Sequence, residues 1–291
     1  MEPSRLPRSP APRLVFLFAT LVLTCAATGL LCAAIMSDHW EEVDWDREAL
    51  ERASSHSIKW LLDGKVGRIE PPSDKHSDHE HQHNGSGRRV VASKPRSKNA
   101  PAFLVPMHGG IWTLCVSLTD EEIDLLATQL GFPQERCINY LTPDEAHEEM
   151  RAAWQNRMQN LSISCSLVCL IILGSAVIVG FFGLCRHQIS AVLVTGVMYL
   201  LAATFALFTL TIIHCKRSQE RTMARPLAVD APEDGVVGGP VDRSLLKARR
   251  FSTSWSMDFG WGGVTLSALA SVAWILLSKI MRFSPISAMI A

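Results

Sequence analysis

The strongest constraint on this chain is that its apolar residues gather in four long runs without one Asp, Glu, Lys or Arg. They are Leu14–Met36, Leu161–Cys185, Ile189–Ile213 and Phe259–Leu277. A helix rises about 1.5 Å per residue, so crossing a hydrocarbon core of roughly 30 Å takes about 20 residues. One such run can be buried in a water-soluble protein, but four leave too little chain to cover them. In lipid a helix satisfies its own backbone within one segment. The expected fold class is therefore membrane α, a four-helix transmembrane bundle. A cleaved signal peptide is the alternative for the first run. Its apolar core exceeds the usual roughly 7–15 residues, and Cys32-Ala33-Ala34 is a loose cleavage site, so an uncleaved helix is expected.

Charge sets the expected orientation. Arg5, Arg8 and Arg13 precede the first run, Arg186-His187-Gln188 joins the second to the third, and Lys279 and Arg282 follow the fourth. Positive flanks favour the cytoplasmic side. The expected order is a cytoplasmic tail 1–13, spans 14–36, 161–185, 189–213 and 259–281, a cytoplasmic turn 186–188, outer loops 37–160 and 214–258, and a cytoplasmic tail 282–291. The basic residues of the second outer loop, among them Lys216, Arg217, Arg221 and Lys247, pull the other way. The flanking rule is strongest for short loops and is usually dominated by the first helix. A formal net charge of zero gives no reason to expect a nucleic-acid partner.

The first outer loop changes texture twice. Residues 37–62 begin acidic and carry Trp40, Trp45 and Trp60. Residues 63–98 are polar, charged and rich in Gly, Pro and His, and are expected to be a disordered insertion, since they cannot bury enough apolar surface to offset chain entropy. Residues 102–160 read as folded, with strands at Phe103-Leu104-Val105 and over Ile111 to Val116. Thr119-Asp120-Glu121-Glu122 is a capping box whose apolar stripe stops at Gly131 and Pro133. Thr142-Pro143-Asp144-Glu145 opens a second helix, expected to run into the second span. In the second outer loop, Pro226–Pro240 reads as unstructured, and Trp255, Phe259 and Trp261 suit a membrane–water interface.

Few residues promise chemistry. Cys115 and Cys137 are the only cysteine pair in the folded part of the first loop, and an outer location favours a disulfide over two free thiols. Asn84-Gly85-Ser86 is a glycosylation sequon, whereas Asn160-Leu161-Ser162 lies too close to the membrane. Cys185, at the cytoplasmic edge, is a weak palmitoylation candidate. His76, His79, His81 and His83 are a weak metal candidate; with Asp74, Asp78 and Glu80 interleaved, a hydrated low-complexity tract is the favoured reading. His147-Glu148-Glu149-Met150-Arg151 begins like a zinc-protease helix, but Arg151 stands where the second histidine belongs. No phosphate-cradling glycine loop or serine nucleophile elbow occurs, and none of the four apolar runs carries the charge usual on a transport path. Neither an enzyme nor a cofactor is expected. Small residues recur at helix-packing spacing: Ala176 and Gly180, Ala202 and Ala206, and Gly263, Ser267 and Ser271.

Four spans, a large first loop, Trp40, then Gly110-Ile111-Trp112-x-x-Cys115 and Cys137 resemble the claudin superfamily. That group takes in claudins, epithelial membrane proteins and the calcium-channel γ and AMPA-receptor regulatory subunits. The resemblance implies a small outer β-sheet clamped by the Cys115–Cys137 disulfide, with Trp40, Gly110, Ile111 and Trp112 at signature positions. Ile111 replaces the usual leucine, and the gap from Trp40 to Gly110 and the cysteine spacing are longer than in a true claudin. The long first loop, the helix between the cysteines and Ser254-Trp255-Ser256 before the fourth span resemble the divergent γ-subunit-like, germ-cell-specific-like and transmembrane protein 178-like branches. The expected function is a non-enzymatic tetraspan that modulates a partner membrane protein, of channel or receptor auxiliary type. The alternative is claudin-type adhesion or a junction barrier. Its expected partners are the bilayer and another integral membrane protein, or itself. The plasma membrane is favoured over the endoplasmic reticulum, because no retrieval signal ends the sequence.

Overall fold

A computed structural model describes residues 12–53, 58–70, 101–141, 153–222, 234–239 and 241–283. Asn84, the histidines His76, His79, His81 and His83, and the cap at Thr142 lie outside these residues. In chain order the elements are α1 (Pro12–Met36), β1 (Glu41–Trp45), α2 (Arg47–Ala53), β2 (Lys59–Leu61), β3 (Val66–Ile69), β4 (Ala102–Leu104), β5 (Met107–Gly109) and β6 (Thr113–Val116). There follow α3 (Asp120–Leu130), β7 (Cys137–Asn139), α4 (Ala153–Cys185), α5 (Ile189–Thr222), β8 (Val236–Gly238), α6 (Arg243–Leu246), β9 (Arg249–Thr253) and α7 (Trp255–Phe283). Contacts divide the chain into a helical unit (Met1–Trp40, Arg157–Ala224, Ser254–Ala291) and a sheet unit (Glu41–Asn156, Arg225–Thr253).

In the helical unit, α1, α4, α5 and α7 are each long and apolar enough to cross a membrane, which makes this an integral multi-pass membrane protein. Their outer faces are apolar: Phe18, Ile178 and Phe181 are 69%, 71% and 72% exposed. Such a surface suits lipid and not water. α7 packs against both α1 and α5. Apolar side chains gain little by leaving lipid for one another, so close backbone approach has to supply the contact. Gly263, Ser267 and Ser271 of α7 are buried. A Cβ on Gly263 would lie 2.6 Å from Leu31 Cδ2, and one on Gly196 would lie 2.9 Å from Ile275 Cγ1. Polar side chains then find partners across the helices. Trp274 Nε1 donates to Thr24 Oγ1 at 2.9 Å, Thr28 and Tyr199 share a hydroxyl bond at 2.9 Å, and Cys169 Sγ donates to the Ala202 carbonyl at 3.4 Å. α5 and α7, like α4, which starts at Ala153, outrun their apolar runs. α5 continues past Ile213 to Thr222, because Lys, Arg, Gln and Glu are good helix formers and no Gly or Pro intervenes. α7 starts at Trp255, one residue after Ser254.

The sheet unit holds two antiparallel sheets, in strand orders β7-β6-β5-β1-β9 and β2-β3-β4-β8. Val43, Met107, Leu114 and Val116 of the first share a core with Val66 and Phe103 of the second, closed by Leu118, Ile123, Leu126 and Phe132. Phe103 and Phe132 meet edge to face, 5.3 Å between centroids. Ala102 and Leu104 point the other way, into a second core with Leu50, Ile69, Val236, Leu245 and Ala248. Both faces of β4 are thus covered, which is why it is continuously apolar and not alternating. α3 has the expected capping box at Thr119 and Glu122, and ends on Gly131 at φ 71°.

Three expectations are corrected here. The insertion expected at 63–98 starts too early, because Val66–Ile69 forms β3 with Val66 and Ile69 buried. The stretch Pro226–Pro240, expected to be unstructured, contributes β8, which pairs with β4 in the register Phe103↔Val237. The strand expected from Ile111 starts at Thr113, because Gly110 N–H donates to the Thr113 carbonyl at 2.8 Å and turns the intervening residues into a hairpin tip.

Candidate functional site

The conspicuous local structure is the β5–β6 hairpin and the strand fastened to it. The register is Met107↔Val116, His108↔Cys115 and Gly109↔Leu114. Gly109 is close-packed, since a Cβ there would lie 3.2 Å from Leu114 Cδ1. At the tip, Ile111 is 1% exposed and Trp112 is half-buried. The Trp112 carbonyl accepts from Tyr140 N–H at 2.8 Å. That bond, and the 2.9 Å bond from Val116 N–H to the Arg136 carbonyl, hold β7 at the sheet edge. Cys115 and Cys137 face each other in register and are joined by a disulfide closing 22 residues of separation. Arg136 reaches back to Asp120 at the start of α3, Nη1 to Oδ1 at 2.7 Å. The segment closed by the two cysteines, 22 residues apart in sequence, is therefore a closed module of strand, capped helix and edge strand.

Side chains alternate across the first sheet. One face carries Val43, Met107, Leu114 and Val116 into the core. The pairings bring Cys137, Cys115, His108, Glu42 and Ser252 into one row on the opposite face. His108 Nδ1 lies 2.8 Å from Ser117 Oγ, which fixes the imidazole beside the disulfide.

Trp40, the remaining signature residue, belongs to the helical unit. It is 2% exposed, and its indole N–H donates to the Ala34 carbonyl at 2.7 Å. It packs against α7, where a Cβ on Gly260 would lie 3.4 Å from Trp40 Cη2. Cys185 is exposed at the end of α4.

Surface ion pairs staple the sheet unit at its periphery. Lys65 Nζ meets Glu122 Oε1 at 2.7 Å, and this bond, with the Thr119 backbone N–H, holds the Glu122 carboxyl below the usual glutamate range. Asp46 is held low chiefly by the Ala49 backbone N–H, with Arg250 Nη2 at 2.7 Å adding to it. Arg250 and Ser252 lie in β9, which sequence reasoning missed, since Arg249–Thr253 holds one apolar residue, Phe251, and shows no apolar alternation. His108 and Ser117 were likewise passed over, since neither belongs to a recognisable motif.

Comparison with protein-family models and with curated proteins found no match for this chain.

Proposed function

We propose that this chain is a claudin-like tetraspan that binds a partner membrane protein and modulates it, as an auxiliary subunit does a channel or receptor. The observation that carries this reading is the disulfide-fastened hairpin Gly109–Cys115, contained in an antiparallel sheet on a chain with four membrane-length helices. A rigid sheet with a pinned edge is a recognition element, since its presented residues lose little freedom on binding. A second feature favours docking within the membrane. On α4, Ile171, Ile178 and Phe181 are exposed, and exposed Gly174 stands among them with no atom within 4 Å of where its Cβ would be. A glycine notch in a bulky outer stripe lets a partner helix approach its backbone.

Cross-linking in native membranes, followed by purification and mass spectrometry, tests the proposal. A channel or receptor subunit recovered stoichiometrically is the expected result, and Gly174→Ile should reduce that recovery. Recovery of only further copies of this chain, assembled at cell contacts, would overturn it in favour of junction-type adhesion.

A further inference from the structure

The two sulfurs of the Cys115–Cys137 bridge have opposite surroundings. Cys115 is 3% exposed, in the fourth position from the hairpin tip on an interior strand, with β5 on one side and β7 on the other. Cys137 is exposed, and opens a three-residue strand that pairs on one side only. A ring nitrogen of His108 lies within 4.8 Å of Cys115 Sγ. The ring is tethered by Ser117 Oγ at 2.8 Å from Nδ1. A purely structural bridge has no use for this asymmetry. Exchange of a disulfide requires one sulfur open to attack and another able to leave as thiolate. A neighbouring imidazole stabilises a thiolate that would otherwise be stranded in an apolar setting.

We propose that Cys115–Cys137 is a thiol–disulfide exchange site, in which a small external thiol attacks Cys137 and Cys115 departs beside His108. The incoming thiolate donates an electron pair to Cys137 Sγ and forms a mixed disulfide there. The Cys115–Cys137 bond breaks with its electron pair on Cys115 Sγ, which accepts a hydrogen bond from His108 and then a proton from the imidazole or from water. A second thiol attacking the mixed disulfide releases the oxidised small-molecule disulfide and leaves Cys137 as a thiol. The site is thus reduced by two electrons, supplied by two thiols. Reduction loosens β7 by removing its covalent tie to β6. This inference stands independently of the proposed auxiliary role.

The test uses the full chain in lipid nanodiscs, with its free cysteines first blocked by N-ethylmaleimide, and reduced glutathione as the thiol. After acid quenching, peptide mass spectrometry reads which cysteine carries glutathione. The expected adduct is on Cys137, with Cys115 free. His108→Gln should slow its formation on the order of tenfold, and Ser117→Ala should slow it less. Loss of the bridge should raise hydrogen exchange at the Tyr140 amide, which is bonded to Trp112. An adduct on Cys115, an even split between the two, no adduct in the folded protein, or unchanged rates in both variants would each overturn the proposal. The site of the adduct is read on the wild-type chain, so it holds even if His108→Gln folds poorly.

Discussion

Trp40 folds back on the helix that precedes it, its indole N–H bonding the carbonyl oxygen of Ala34 at 2.7 Å. That carbonyl belongs to the last turn of α1, where backbone acceptors have no partner within the helix. The side chain therefore serves as both cap and packing piece. The same carbonyl also accepts from Ser37 N–H at 3.3 Å, so Trp40→Phe should cost only about 0.5–1.5 kcal/mol for the lost indole bond. Trp40→Ala should cost about 3–5 kcal/mol. Thermal unfolding in detergent, followed by circular dichroism, measures both.

Gly263 has no room for a side chain against Leu31. Gly263→Ala should destabilise the helical unit by about 1–3 kcal/mol through overpacking. Combining it with Leu31→Ala should recover part of that loss, because the clashing Leu31 Cγ and Cδ2 atoms are then gone. A double-mutant cycle of unfolding midpoints reads the coupling. Additive losses would show that the clash is relieved by helix displacement and not by the Leu31 side chain.

The bridge closing 22 residues of separation restrains the unfolded chain. Cys115→Ser with Cys137→Ser should destabilise the sheet unit by roughly 3 kcal/mol in the chain-entropy model. The loss should appear in hydrogen exchange of β6 and β7 and leave the amides of α1 and α7 unchanged. Uniform loosening of the helices as well would contradict it.

Glu122 accepts from Lys65 and from the Thr119 backbone in the folded chain, and its carboxyl is held below its ordinary range. A depressed carboxylate contributes stability that is present above its unfolded value and disappears as pH falls through its folded one. Glu122→Gln should therefore weaken the sheet unit at neutral pH, and its difference from wild type should shrink as the pH is lowered through the acid range below the ordinary glutamate value. Thr119→Ala removes the other half of the capping box and should cost about 1 kcal/mol. Unfolding midpoints across this pH range, for wild type and both variants, measure the effects.

Ile69 pairs directly with Ala102, so residues 70–101 connect neighbouring antiparallel strands. Replacing residues 71–100 by a short turn should leave both sheets intact. Closure entropy changes by only about 0.6 kcal/mol for each halving of a loop. The unfolding midpoint should stay or rise slightly. A large fall would mean that the removed segment packs on the sheets.

The spans were legible because run length and absence of charge are signals that no neighbour has to complete. α3 was legible from Thr119, Glu122 and Gly131, since caps are local chemistry. β3 and β8 were not. Each is three or four residues long, too short to show a period, and becomes a strand by pairing, β3 with β2 and β4 and β8 with β4. Gly235 and Gly238, at φ 89° and 96°, bracket β8 and read as loop residues when met in the sequence alone. The pairing of Cys115 with Cys137 was legible, but the contrast in their surroundings was not. It depends on which strand lies at the edge and on His108 standing opposite Cys115.

The interior strand β1 takes one neighbour, β5, from the same loop and the other, β9, from much later in the chain, so that Glu41 faces Gly109 on one side and Thr253 on the other. β4 likewise waits for β8. During synthesis the ribosome must emit α4 and α5 before either partner exists. Until then two strands carry raw, self-complementary edges. β9 ends at Thr253 and α7 begins at Trp255, so the last strand and the last span are delivered almost together. A message truncated anywhere upstream of this point would yield a product that is incomplete in both units at once, and that displays it through open backbone.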